Sequence, residues 1–200
     1  FFLLLFIPEI HKYPAHRGPC MSDALDDLLY EFRSIRFDFD AIFQRMNGQA
    51  AERTSVYGNV GKQALHMHVE KLRKQFNFGT ISWPNNQFYH VAETDSRINI
   101  RGGNKLAATA DVGLVFEGRP LIIGIKMNEW SNLERSYFRD QHPRKRGVLD
   151  EIFGKGDYDH ALLVPYAMTK WHRDSNIVRI RCSAEEFREQ VDAECEKRNR

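Results

Sequence analysis

Three observations predict an α/β protein in which a mixed central sheet is flanked by helices. Two consecutive apolar runs, Ala110–Glu117 and Pro120–Met127, read as neighbouring strands. A third, Ala161–Pro165, comes only after a charged stretch long enough to serve as the crossover that a parallel neighbour needs. Segments with helical apolar spacing stand before and after these strands, so both kinds of element share one chain.

Taken in order, Leu25, Leu28, Leu29 and Phe32 recur at helical spacing behind Ser22 and the acidic turn Asp23, Asp26 and Asp27, which predicts a first helix. A second covers Asp38 to Met46 and ends at Asn47-Gly48. Gly58-Asn-Val-Gly61 predicts a break, after which a helix runs from Lys62 to Gln75 with Ala64, Leu65, Val69 and Leu72 on one face. Strands follow at Gln87–Glu93 and at the two runs above, joined by a Gly-Arg-Pro turn. The segment from Ser131 to Phe153 is mainly helical and interrupted near Pro143. Strands at Ala161–Pro165 and Ile177–Cys182 precede a last helix, which Ser183 and Glu186 open as a capping box. Three strands in succession predict antiparallel neighbours, and the strand after the crossover predicts a parallel one.

The composition bounds the function. Apolar residues at 42% and charged residues at 28% exclude a disordered chain, and a net charge of +2 sets up no global field towards nucleic acid or membrane. Cys20, Cys182 and Cys195 form no CxxC pair, which argues against a structural zinc site or disulfide framework and makes a reducing cytoplasm the expected location. The run Phe1–Ile7 is too short to span a bilayer, and no membrane partner is expected. Met21-Ser22-Asp23 resembles a start, so the chain divides into an upstream extension (1–20), an N-terminal helical segment (21–57) and an α/β core (58–200). No Gly-rich phosphate loop of the nucleotide-binding kind occurs, which argues against ATP dependence.

The chemistry concentrates in the hairpin. Alternation puts Asp111, Gly113, Val115 and Glu117 on one face of its first strand and Ile122, Gly124, Lys126 and Asn128 on one face of its second. Asp111 and Lys126 are thereby predicted to converge at one edge, two charges in an otherwise apolar setting. The bland alternative is that Asp111 caps a turn while Lys126 snorkels from a strand end.

This arrangement resembles the PD-(D/E)XK nuclease superfamily, whose core order of helix, three strands, helix and strand is similar to residues 62–165. The resemblance implies a restriction-endonuclease-like core and a Mg2+-dependent DNA endonuclease, in the manner of a type II restriction enzyme, with Mn2+ as a substitute ion. It implies Asp111 as metal ligand, the backbone carbonyl of Ile125 as a further ligand, and Lys126 as the lysine that assists the attacking water. Hydrolysis of a phosphodiester suits a hard cation on oxygen ligands. The second carboxylate, however, falls on Gly124. Either the carboxylate has migrated, with Glu129, Glu117 or Glu70 as candidates, or the chain is a non-catalytic DNA-binding module, or it is an inactivated form of the enzyme.

Two basic groups flank the hairpin as candidate contacts to double-stranded DNA. Arg97, Arg101 and Lys105 surround Gly102-Gly103, and Arg144, Lys145 and Arg146 lie in the crossover. Trp171-His-Arg173 is a further candidate contact. A homodimer is compatible with cutting both strands of a palindrome, and the helices of residues 22–46 are the candidate interface.

Overall fold

The computed structural model describes residues 23–46, 53–94, 97–128, 133–166 and 176–200. Helices α1 (Asp23–Glu31), α2 (Phe39–Met46) and α3 (Arg53–Leu72) come first, with a 3-10 turn at Phe32–Ser34. Eight strands follow: β1 (Phe78–Gly79), β2 (Tyr89–Thr94), β3 (Arg97–Gly102), β4 (Lys105–Ala110), β5 (Val112–Phe116), β6 (Arg119–Ile125), β7 (Asp159–Pro165) and β8 (Asn176–Ile180). Between β6 and β7 run a π-helical stretch, Leu133–Gln141, and helix α4 (His142–Phe153), and helix α5 (Ala184–Arg198) closes the chain.

The protein is α/β with a mixed five-stranded sheet ordered β1-β5-β6-β7-β8 and a second, antiparallel sheet β2-β3-β4. In the first sheet β1, β5 and β6 are antiparallel, whereas β7 joins β6 in parallel after the helical crossover, as the spacing predicts. One face of that sheet is covered by α1, α2, α3 and α5, through a core that includes Leu28, Phe32, Ile42, Leu65, Ile123, Leu163 and Phe187. Ile122 on the opposite face packs with Val148, Leu149 and Ile152 of α4 and with Ile98 and Ile100 of the second sheet. The apolar residues of α1 and α2 are thus consumed in the core, which leaves little of them for the expected dimer interface.

Several sequence expectations need correction. No break occurs at Gly58–Gly61, and α3 runs straight through it and across the 57/58 boundary. Gly61 faces β6, where a Cβ would stand 3.4 Å from Met127 Cγ, so this glycine lets the helix approach the sheet rather than ending the helix. The basic stretch before Asp111 is two paired strands, β3 and β4, and not a loop. The hairpin turns at Glu117-Gly118, both with positive φ (48° and 77°), while Arg119 and Pro120 already belong to β6. By contrast, Pro143 marks the start of α4, and Ser183 and Glu186 form the expected capping box. Residues 1–20, Asn47-Gly48, Glu129, Ser131 and Trp171–Arg173 lie outside the described residues.

Candidate functional site

Asp111 stands at the junction between the two sheets, after β4 and before β5. Its N–H donates to the Ile123 carbonyl at 3.1 Å, and because Ile123 is already the partner of Val112, Asp111 sits as an extra residue at the start of β5, outside the β5–β6 register. Its carboxylate nonetheless reaches the face of Gly124, with Oδ2 3.7 Å from where a Cβ on that glycine would stand, and Lys126, two residues on, shares that face by alternation. The predicted convergence therefore holds in face but not in register.

The contacts are less simple than a nuclease triad. Ile125 N–H donates to Asp111 Oδ2 at 2.9 Å, a buried bond that makes the carboxylate a cap on the end of β6. Lys62 of α3 brings its Nζ to 3.9 Å from Asp111 Oδ1. Lys126 is half-buried and lies over the Tyr137 ring, 5.2 Å from its centre, with its own N–H donating to the Leu163 carbonyl at 2.9 Å. Ile125 N–H thus points to the β5 side and to the Asp111 carboxylate.

Lys145 corrects the sequence reading most sharply. It is no part of a solvated basic patch. With only 6% of its surface exposed, it descends from α4 onto the sheet, and its Nζ lies 3.6 Å from where a Cβ on Gly124 would be. Asp111 Oδ2 is 3.7 Å from that same point. Glycine at 124 thus leaves room for a buried ammonium where the family pattern has a carboxylate. Burial and the neighbouring Lys126 push the Lys145 ammonium down to about 8, against the pull of Asp111. Burial likewise lowers Lys62, helped by Arg97 and Lys126 and opposed by Asp111. Burial raises the Tyr137 hydroxyl, with the Asp111 charge adding to it, and among the described residues that hydroxyl has no hydrogen-bond partner.

The remaining candidates divide by position. Glu117 sits at the opposite end of the hairpin, roughly 20 Å along the strand at about 3.3 Å per residue, so it is no substitute ligand. Glu70 borders the same cleft as Asp111, a space of about 270 Å³ that His66 and Arg73 also line. Its carboxylate is held in a forked pair with Arg45, at 2.6 and 3.1 Å, rather than turned to Asp111. Among the described residues no group of three metal-ligating side chains forms, and one carboxylate amid three lysines does not fit a divalent cation.

Of the basic residues, Arg97 precedes Ile98, the partner of Ala110, and stays near the site, where its charge acts on Lys62. Arg101 and Lys105 lie instead at the far tip of the β3–β4 hairpin, roughly 13 Å away. There they meet Arg144, whose Nη2 donates to the Leu106 carbonyl at 3.1 Å, so one exposed basic patch forms from two sequence segments. Arg146 lies apart from this patch, and its carbonyl accepts from the Tyr158 hydroxyl at 3.4 Å. Comparison with protein-family models, with curated proteins and with solved structures finds no match to this chain.

Sequence reasoning missed Lys62 and misplaced Lys145, although a signal existed for both. Lys62 shares the helical stripe of Leu65, Val69 and Leu72, and Lys145 that of Val148, Leu149 and Ile152. A charge on an apolar stripe is a charge brought to the core.

Proposed function

We propose that the protein binds double-stranded DNA at the Asp111–Lys126 edge and is an inactivated form of a Mg2+-dependent endonuclease of restriction-endonuclease-like fold. The observation that carries this reading is the shared face of Asp111, Gly124 and Lys126, with the Ile125 backbone turned towards the carboxylate. In the five-stranded sheet α3 is followed by antiparallel β1, β5 and β6, then by α4 and parallel β7, an order that supports the same lineage. The expected first strand, Gln87–Glu93, lies in the second sheet as β2, and the short β1 takes its place. The patch of Arg101, Lys105 and Arg144, together with Arg97 at the site, supplies phosphate contacts along the path to Asp111.

Two measurements test it. Binding of duplex DNA should fall linearly in log affinity with log salt, and Arg97→Ala with Arg101→Ala and Arg144→Ala should flatten the slope. Gly124→Glu should gain Mn2+ binding and plasmid nicking. Absence of DNA binding at low salt sinks the partner, and a folded Gly124→Glu protein that neither binds Mn2+ nor nicks sinks the lineage. A second reading, an active endonuclease that recruits Glu70, is favoured by the cleft Glu70 shares with Asp111. It predicts metal-dependent nicking by the unaltered chain.

A further inference from the structure

We infer that this site holds a phosphodiester through ammonium groups and without a divalent cation, with Lys62 and Lys126 at the rim and Lys145 cancelling Asp111 from beneath. The inference rests on the DNA-binding reading above and says how the site does it.

Charge is the first argument. Lys62, Lys126 and Lys145 gather around Asp111, with Arg97 near enough to act on Lys62. The other two carboxylates lining the cleft are already held, Glu70 by Arg45 and Glu93 by Trp83, so the balance at Asp111 itself is cationic. A divalent ion approaching Asp111 meets like charge on several sides, whereas a phosphate oxygen meets opposite charge. Occupancy is the second. Asp111 Oδ2 already accepts the Ile125 N–H, and Oδ1 faces Lys62. A cation would have to share each oxygen with a donor or a like charge already there.

Lys145 supplies the third. Isolated charges are expensive to bury, and this ammonium is 6% exposed on the apolar stripe of α4. The carboxylate acting on it, Asp111, lies beyond the gap over Gly124, each group within 3.7 Å of the point where a Cβ would sit. Lys145 is therefore a positioning residue. It neutralises Asp111 through that gap and leaves Lys62 and Lys126 to present net positive charge outward. A glutamate at 124 would take Lys145 for itself and return the site to a cation.

The test measures anisotropy of a labelled DNA duplex with the full chain, in EDTA and in Ca2+ at matched ionic strength. The unaltered protein should bind equally in both. Lys145→Met should weaken binding in EDTA by about tenfold and make Ca2+ restore it, because Asp111 then carries an uncancelled charge. Gly124→Glu should shift the balance the same way. Lys145→Met keeps the volume but leaves the buried Asp111 carboxylate short of a counter-charge, so it should melt lower than the unaltered chain, and binding is read at a temperature where both are folded. Binding that appears only with Ca2+ overturns the ammonium site alone, as does a Lys145→Met protein indifferent to Ca2+. No binding in either condition overturns the DNA reading itself.

Discussion

Along β6 alternate residues lead into two different environments. Leu121, Ile123 and Ile125 enter the closed apolar core beneath α1, α2, α3 and α5. Gly124 and Lys126, one residue out of phase, meet Asp111, Lys145 and Tyr137 instead. The first face is filled by side chains that want nothing but contact. The second keeps a buried lysine, a glycine with space above it and, among the described residues, a tyrosine hydroxyl and two histidine ring nitrogens without hydrogen-bond partners. A strand buried on both faces has no structural need for such groups, and that asymmetry is what marks the second face as functional.

The largest expected effect lies on the apolar face. Ile123 is fully buried between α3 and the sheet, so Ile123→Ala should cost about 3 kcal/mol, the transfer free energy plus the cavity left behind. The denaturant midpoint should fall while the slope of the transition stays unchanged. A cost under about 1 kcal/mol would mean that this face is as loosely filled as the other, and the comparison would fail.

Acid should find the second face first. His160 of β7 stacks on His142 with ring centres 5.3 Å apart, and among the described residues neither of its ring nitrogens has a hydrogen-bond partner. Burial drives its pKa well below 6.5, and the charges of Lys145, His142 and Arg146 push the same way. Below pH 6.5 the unfolded chain takes up a proton that the folded chain refuses, so stability falls as pH drops from 7 towards 5. This one group contributes at most about 1.4 kcal/mol per pH unit. His68 on the apolar face has the same sign, since burial lowers it too. His160→Leu should therefore flatten the melting temperature profile in part. An unchanged profile would assign the acid sensitivity to the apolar face.

How much of this was legible in the sequence follows the same division. The apolar runs of β5, β6 and β7, the parallel crossover and the capping box could be read because each rests on local periodicity or on neighbouring residues. Gly61 could not, since its partner Met127 is far along the chain, and a glycine that permits close approach looks locally like one that ends a helix. Arg144-Lys145-Arg146 reads as a single charge run in one dimension. The helix turns it by about 100° per residue, which places Lys145 in the core and leaves its neighbours outside. Asp111 and Lys126 were found by strand alternation, but the contacts of Asp111 with Ile125 and Lys62 depend on how the elements pack. Local pattern gave the face, and only packing gave the partners.

The smallest expected effect separates two glycines on the second face. Gly113 and Gly124 both lie there, the first paired with Ile122 and the second facing the Asp111 carboxylate. A Cβ on Gly113 would come within 2.9 Å of Ile98 Cδ1 and 3.4 Å of Trp83 Cζ2, so the buried Ile98 side chain would have to turn away within a packed core. Gly113→Ala should cost about 1–2 kcal/mol as overpacking. A Cβ on Gly124 would meet Leu162, Lys145 Nζ and Asp111 Oδ2 at 3.5–3.7 Å, all ordinary contacts. Alanine also restricts the unfolded chain, so Gly124→Ala should be neutral or stabilising by up to about 1 kcal/mol. Paired melts of the two variants measure the difference. If both cost the same, glycine at 124 is needed for packing, and the space above it is no vacated ligand position. If only Gly113→Ala is costly, position 124 is free to carry a side chain, and its glycine belongs to the chemistry of Lys145 and Asp111 rather than to the fold.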